Sequence, residues 1–144
     1  MEQHLEVKNL EAKTAAFARA LGVMQTLRRD CPWDAKQTYE SIRQNSIEEM
    51  YELCEALIAG DPNEIQKECG DVLEQLFFYA MFGEEQGQFD MATICNKMCD
   101  KLVFRHPHVF NPDGSLISEV GTRGGEQVND ADDVSRLWEV VKQK

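Results

Sequence analysis

The chain has 144 residues, 42% of them hydrophobic, which is enough for one ordinary domain with a buried core. Its 26 acidic and 15 basic residues give a formal charge of −11, and a surface this negative repels nucleic-acid backbones and anionic membranes. The sequence contains neither a signal-peptide pattern nor an apolar run of about 18 residues, the length of a membrane span. We therefore expect a single cytoplasmic domain over residues 1–144 that binds neither polynucleotide nor membrane.

Five cysteines are scattered along the chain: Cys31, Cys54, Cys69, Cys95 and Cys99. Their odd number and unpaired spacing are untypical of a disulfide framework, so we predict reduced thiols that mostly pack among apolar residues. A zinc site is disfavoured as well, because no C-x₂-C knuckle occurs among the nearest possible ligands, Cys95, Cys99, His106 and His108.

Helical periodicity begins near the start of the chain. Apolar side chains recur at loosely helical spacing from residue 5 to about residue 27, and predict an N-terminal helical segment within residues 1–30. The next segment, Cys31–Asp34, contains a proline, which lacks an amide hydrogen and disfavours a helical residue before it. We predict a loop there.

Two long helices are predicted on either side of a short turn. Ser46, followed closely by glutamates, matches a capping box and predicts that the first of them begins there and runs to about residue 59. Gly60 ends it, and Asp61-Pro62 supplies an N-cap and a first-turn proline for the next, which extends to about residue 86.

The remaining chain predicts two more helices and a long loop. Apolar residues at helical spacing follow the cap candidate Asp90 and stop before His106-Pro107. Residues 111–130 are rich in Gly, Asp and Asn and predict a loop, after which residues 131–144 carry the last helix. No segment alternates with a period of two, so we predict an all-α fold whose candidate site lies on the helices of residues 46–110.

The short turn at Gly60 makes the two long helices antiparallel neighbours. Reflecting the sequence about this turn pairs Glu52 with Cys69 and Glu49 with Val72. This register determines which side chains of the two helices share a level.

Four carboxylates lie close to one level in this register. Glu49 and Glu52 are three residues apart on one helix, and Glu68 and Asp71 are three apart on the next, all about 12–17 Å from the turn. Converging carboxylates repel each other unless a cation neutralises them, and oxygen ligands select Mg²⁺, Mn²⁺ or Ca²⁺ over zinc. Solvated helix faces are the alternative, since Glu49 and Glu52 lie roughly opposite the apolar stripe formed by Ile47, Met50, Cys54, Leu57 and Ile58.

Beyond Asp71 the helix is apolar on nearly every side, from Val72 to Phe82. A helix of this kind is buried all round. In so small a domain, complete burial predicts a partner chain that packs against this half of the helix.

A basic cluster follows at the end of the predicted fourth helix. Lys101 and Arg105 are four residues apart on one face, so both can bind phosphate groups, or simply offset the helix dipole. Trp33 and Trp138 can stack on a nucleobase, although packing is the commoner role of an isolated tryptophan. The stretch Gly121-Thr-Arg-Gly-Gly125 lacks the strand and the Gly-Lys-Ser/Thr ending of a phosphate-binding P-loop.

Several ordered motifs resemble the MazG nucleotide pyrophosphohydrolases over residues 31 to 142. The most specific are Glu48-Glu49-Met-Tyr-Glu52 and Glu68-Cys-Gly-Asp71. Three flanking motifs agree with them: Cys31-Pro-Trp-Asp34 with the nearby Gln37-Thr38, the run from Lys101 to Phe110, and Trp138-Glu-Val-Val-Lys142.

The resemblance implies a helical bundle completed by homodimerisation, with further assembly of dimers left open. It implies hydrolysis of nucleoside triphosphates between the α and β phosphates, with Mg²⁺, or Mn²⁺ in its place, held by Glu49, Glu52, Glu68 and Asp71. Because the chain is so acidic, a divalent cation would also be needed to bring a polyphosphate to it.

The same resemblance assigns roles outside the metal ligands. Lys101 and Arg105 match phosphate-binding positions, and Trp138 matches a position near the base. Glu48 is the candidate for water activation. A non-catalytic helical dimer that binds nucleotide or a partner protein is the alternative, and the chain is expected to be either a one-domain member or part of a longer protein.

Overall fold

The computed structural model describes residues 6–117, 122–123 and 126–142. Six helices span most of this part: α1 (Leu10–Asp30), α2 (Pro32–Ala35), α3 (Tyr39–Ala59), α4 (Pro62–Glu85), α5 (Met91–Arg105) and α6 (Ala131–Val141). Two strands of two residues each, β1 (Thr122–Arg123) and β2 (Glu126–Gln127), pair antiparallel. The all-helical class is confirmed, and the small hairpin lies inside the predicted loop of residues 111–130. None of the helices in the described ranges is long and apolar enough to cross a bilayer.

The prediction of a loop at Cys31–Asp34 is wrong. Residues Pro32–Ala35 form one helical turn, with Cys31 as its extended N-cap residue. A proline at the first helical position has no amide that needs a partner, and its fixed φ suits a helix start. The proline therefore begins a helix here instead of excluding one.

The start of the next helix also differs from the prediction. α3 begins at Tyr39, seven residues before the predicted cap at Ser46. The capping box is formed by Thr38 and Ser41: the Ser41 amide donates to Thr38 Oγ1 at 3.2 Å, and the Thr38 amide donates to Ser41 Oγ at 2.8 Å. Ser46 lies inside the helix, where its hydroxyl has another partner.

The turn between α3 and α4 is as predicted. Gly60 adopts a left-handed conformation with φ of 80°, which a residue without a Cβ atom adopts at little cost. Asp61 then caps α4 by accepting the Asn63 amide at 3.1 Å, and Pro62 occupies the first helical position. The two helices pack against each other along their length.

Residue contacts divide the chain into two compact units, Asn9–Ala92 and the remainder, so the expectation of a single domain stays a prediction. The core of the first unit joins α1, α3 and α4 through Met24, Ile42, Phe77, Phe78, Met81 and Phe82. After α4 the chain folds back, and the Phe89 ring lies so close to Gly83 that an added Cβ atom would meet it at 2.3 Å. In the second unit, Asp130 caps α6 by accepting the Asp133 amide at 2.9 Å.

Beyond Asp71, α4 is buried on only some of its sides within this chain, and the predicted burial on every side, which requires a partner chain, stays a prediction. Phe77, Phe78 and Phe82 are buried inside the chain, but Leu76 keeps 51% of its surface exposed and Leu73 is also exposed. The apolar stripe of α3 is exposed along its whole length, up to 87% at Ile58. Cys54, Cys69 and Cys99 are exposed too, so these thiols do not pack in the interior as predicted.

Candidate metal centre

A side-chain hydrogen bond fixes the level at which α3 and α4 face each other. Ser46 Oγ donates to Gln75 Oε1 at 2.9 Å. These two residues are related by the same reflection that pairs Glu49 with Val72, so the register predicted from the turn is confirmed. One turn closer to Gly60, the same register brings the acidic residues together.

The four carboxylates predicted to converge do so. One oxygen from each of Glu49, Glu52, Glu68 and Asp71 lies within 4.8 Å of the others. Two of these residues come from α3 and two from α4, and each pair occupies one helix face because three residues make nearly one turn. Oxygens this close can coordinate one small cation together.

Two oxygens of this cluster are buried without a hydrogen-bond partner. Glu68 keeps only 8% of its side-chain surface exposed, and its Oε2 atom has no partner, nor has Oε2 of Glu49. Buried carboxylate oxygens ordinarily accept hydrogen bonds or bind a cation. The nearest ammonium group, that of Lys67, lies 3.6 Å from the other oxygen of Glu68 and is itself largely in solvent.

The electrostatics of the cluster disfavour ionised carboxylates without a cation. Desolvation, followed by the negative charges of Glu52, Asp71 and Glu68, raises the pKa of Glu49. Desolvation also raises the pKa of Glu68, partly offset by Lys67 and reinforced by Glu52 and Asp71. Protonation or a cation relieves this repulsion, and hard oxygen ligands suit Mg²⁺ or Mn²⁺. The residues present therefore fit a divalent metal.

Further acids extend from the cluster in two directions. An open groove of about 450 Å³ lies beside Glu52 and Glu68 and is also lined by Glu55, Glu64 and Tyr51. On the other side, desolvation and the charges of Asp71 and Asp34 raise the pKa of Glu74. An anion would enter such surroundings only together with cations.

Glu48 lies on α3 beside the cluster but is not one of its four members. Its side chain is exposed to solvent. Glu52, a member of the cluster, is exposed as well.

Lys101, Arg105 and Trp138 belong to the second unit. Lys101 is exposed and Arg105 half-buried near the end of α5. The Trp138 ring meets the edge of His106 at a centroid distance of 5.2 Å, and the Lys142 ammonium lies 5.9 Å from the indole centroid. Trp138 Nε1 is buried without a hydrogen-bond partner.

The sequence indicated no role for His106 and His108 other than zinc binding. His106 instead approaches the Leu102 carbonyl oxygen with Nδ1 at 2.6 Å, and its ring lies 5.4 Å from that of His108. Desolvation, then the charge of His106, lowers the pKa of His108. The His-Pro-His sequence directly after a helix could have indicated this aromatic packing.

Arg28, which the sequence did not mark as important, links α2 to α4 by hydrogen bonds. Its guanidinium donates to both oxygens of Glu85 at 2.8 and 2.9 Å and lies 4.8 Å from the Phe82 ring centroid. Its Nη1 atom donates to three backbone oxygens, at 2.6 Å to Asp34, 3.2 Å to Ala35 and 3.0 Å to Gln37. The signal was the pair of arginines in the last turn of α1, but the Glu85 partner of Arg28 is distant in sequence. Arg28 thereby holds the turn that presents Trp33, whose side chain is 47% exposed.

The fold and the cluster define a class of all-helical proteins with an acidic metal-type site between two antiparallel helices. The model of the MazG nucleotide pyrophosphohydrolase domain matches residues 37–110, which contain all four carboxylates. The chain belongs to this family.

Relatives in other organisms agree with this assignment. The nucleoside triphosphate pyrophosphohydrolase of Escherichia coli K12 is 44% identical over 95 residues, which is 64% of this chain and 36% of that protein. The nucleoside triphosphate pyrophosphohydrolase/pyrophosphatase MazG of Thermotoga maritima is 41% identical over 96 residues, or 65% of this chain and 38% of that protein. The chain thus spans less than half of the length of these curated relatives.

A solved structure supports the fold. The crystal structure of a mazG-related protein from Thermotoga maritima superposes with a TM-score of 0.67 at 21% identity, covering 88% of this chain and 99% of that one. At this identity the likeness concerns the fold alone.

Proposed function

We propose that the chain hydrolyses nucleoside triphosphates, ribo or deoxy, between the α and β phosphates to give a nucleoside monophosphate and pyrophosphate. The observation that carries the proposal is the convergence of four carboxylate oxygens within 4.8 Å in a member of this family. The names of the relatives agree with the reaction.

The metal of the proposed site is Mg²⁺, with Mn²⁺ as a substitute. Glu49, Glu52, Glu68 and Asp71 would hold it, and the unpartnered oxygens of Glu49 and Glu68 support this assignment. When bound, such a cation would neutralise charge on the polyphosphate and, as a Lewis acid, would polarise the α-phosphate.

The chain's own side chains would do the rest. Glu48 is our candidate for the base that accepts a proton from the attacking water, since its carboxylate is exposed beside the cluster. Lys101 and Arg105 would bind the phosphates and stabilise the charge that develops on the departing pyrophosphate. Trp138 would lie against the base.

We further propose that the protein is a homodimer, with the partner covering an exposed apolar surface. This surface, the outer stripe, consists of Ile47, Met50, Tyr51, Cys54, Leu57 and Ile58 of α3 with Leu73 and Leu76 of α4. The sequence predicted that the partner packs against the stretch Val72–Phe82. The phenylalanines of that stretch pack inside the chain, so it contributes only Leu73 and Leu76 to the outer stripe. A protein chain in water rarely leaves so many large apolar side chains exposed on two neighbouring helices. The same proposal includes a cytoplasmic location. The charge of −11 supports the proposed absence of polynucleotide and membrane partners.

Pyrophosphate release tests the proposed reaction. Purified protein is incubated with Mg²⁺ and, in turn, with canonical, deoxy and oxidised triphosphates, and we expect pyrophosphate and the matching monophosphate from at least one of them. Nucleotide that stays bound with no pyrophosphate from any substrate would instead indicate the non-catalytic binding protein.

A further inference from the structure

Three polar side chains form a connected network between α3 and α4, next to the carboxylate cluster. Ser46 Oγ lies 2.9 Å from Gln75 Oε1, 2.5 Å from the Tyr79 hydroxyl and 3.2 Å from the Ile42 carbonyl oxygen. Neither the capping pattern of the sequence nor the proposed chemistry accounts for these contacts.

Proton counting fixes the direction of the network. Ser46 has a single hydroxyl hydrogen, and Gln75 Oε1 can only accept. The serine hydrogen therefore goes to Gln75, the nearer of the two carbonyl-type acceptors, and Tyr79 donates its own hydrogen to Ser46 Oγ. Each oxygen then has a partner, and Gln75 is fixed with its amide oxygen toward α3.

The network is packed among buried and aromatic side chains. Gln75 keeps only 6% of its surface exposed, and Ile42, one turn before Ser46, is fully buried. The Tyr79 ring stacks on Tyr39 at a centroid distance of 6.0 Å and meets the edge of Phe82 at 6.4 Å. A satisfied polar network in such a place favours one packing arrangement of its helices over others.

The network lies one helical turn from the metal-type cluster. Ser46 precedes Glu49 by three residues, and Gln75 follows Asp71 by four, so each shares a helix face with a cluster member. A slip of one helix by a single residue would shift its carboxylates by about 1.5 Å and rotate them by about 100°. The turn at Gly60 restrains such a slip on one side of the cluster, and the network restrains it on the other.

We propose that Ser46, Gln75 and Tyr79 are positioning residues that hold the register of α3 and α4 at which the four carboxylates converge on a metal. The inference rests on the proposed metal site. The residues need not touch the metal or the substrate, and act through the helices that carry Glu49 and Asp71.

Mn²⁺ binding to the purified full chain, measured by calorimetry, tests this role independently of turnover. We expect Ser46→Ala and Tyr79→Phe each to weaken Mn²⁺ binding about tenfold, the lower end of the range for residues that support metal ligands. Ser46→Thr keeps the hydroxyl and should restore most of the affinity. Two controls remove hydroxyls elsewhere: Tyr39→Phe on the neighbouring ring, and Thr26→Ala, whose hydroxyl donates to the Gly22 carbonyl oxygen within α1.

Stability measured without metal separates positioning from simple packing. If Ser46→Ala and Tyr79→Phe unfold more easily but bind Mn²⁺ as tightly as the unmodified chain, the network is only structural and the inference is wrong. If the unmodified chain binds no Mn²⁺, the metal site itself fails, and that result is distinct because it appears before any substitution is made.

Discussion

The α3–α4 pair has an inner face, which carries the carboxylate cluster, and an outer face, which carries the outer stripe. Charged side chains are buried on the inner face and apolar ones are exposed on the outer face, the reverse of the usual distribution. At the level of the cluster, the inner face buries Glu68 and part of Glu49 between the helices. The outer face leaves Ile47, Leu57 and Ile58 in contact with water. Burial of unpaired carboxylates and exposure of aliphatic side chains are both unfavourable in an isolated chain. Both features support the proposals made above: a cation would complete the inner face, and a second copy of the chain would complete the outer one.

Removing one charge from the inner face should have the largest effect. We expect Asp71→Asn or Glu52→Gln to lower pyrophosphate release by about 100-fold or more, since even residues that only support a metal ligand affect activity 10–100-fold. Helical content measured by circular dichroism should be unchanged, because neither side chain belongs to the apolar core.

A matched control for these variants is Glu40→Gln, an exposed glutamate in the first turn of α3. It changes the net charge equally but lies outside the cluster, and should leave turnover within about twofold, as expected for surface changes of small energy. Full activity in Asp71→Asn would show that the metal assignment is wrong.

A charge on the outer face should separate the proposed dimer. Ile58→Glu places a carboxylate on the most exposed aliphatic position of the outer stripe, and we expect light scattering to give a dimer for the unmodified chain and a monomer for the variant at micromolar concentration. Val23→Glu, on α1 and 47% exposed, is the control that should stay dimeric. A monomeric unmodified chain at that concentration would contradict the proposed interface.

Close packing after α4 predicts a moderate effect on stability. Gly83→Ala forces a methyl group against the Phe89 ring, at 2.3 Å before relaxation, and should lower the free energy of unfolding by about 1–3 kcal/mol. Gly22→Ala, where nothing lies within 4 Å of the added atom, should instead raise it by about 0.5–1 kcal/mol. Urea denaturation of both variants measures the difference. If Gly83→Ala and Gly22→Ala unfold at the same urea concentration, the Phe89 ring moves away from residue 83 without a cost in free energy.

The smallest expected effect is the pH dependence of the free energy of unfolding in the absence of metal. Because the pKa values of Glu49 and Glu68 are raised above the ordinary 4.5, the folded state binds protons more tightly than the unfolded state. Their contribution to stability is therefore present below pH 4.5 and is lost as the pH rises through the folded pKa values. We expect Glu49→Gln to lose less stability than the unmodified chain between pH 4.5 and pH 7, and Mg²⁺ to remove that difference. A larger loss in the variant would contradict the proposed repulsion.

Local patterns predicted the parts of this fold that are determined by local chemistry. The glycine and the aspartate–proline pair at residues 60–62 ended one helix and began the next, because their backbone preferences depend on no distant residue. With that turn placed, helix geometry gave the register, which the Ser46–Gln75 bond confirms, and put the four carboxylates at one level. Geometry left solvated helix faces open as the alternative, and the cluster shows that the carboxylates converge.

Apart from the helical turn that Pro32 begins, the errors came from residues whose role depends on distant partners. Ser46 has the pattern of a cap, yet its hydroxyl bonds to Gln75, 29 positions away. Periodicity marked the apolar stripe of α3, but a stripe does not reveal whether the same chain or another one covers it. Arg28 could not be interpreted from local sequence because Glu85 is 57 positions away. Roles in phosphate and base binding came from the family resemblance and stay predictions.

The proposed reaction depends on a divalent cation held by the four carboxylates, which would enable cleavage between the α and β phosphates. A ³¹P NMR time course of one accepted triphosphate, recorded with and without Mg²⁺, tests it most directly. We expect monophosphate and pyrophosphate resonances to grow together only when Mg²⁺ is present, and neither to appear with Asp71→Asn. Diphosphate and inorganic phosphate as the products, or an equal rate without any divalent cation, would contradict the account.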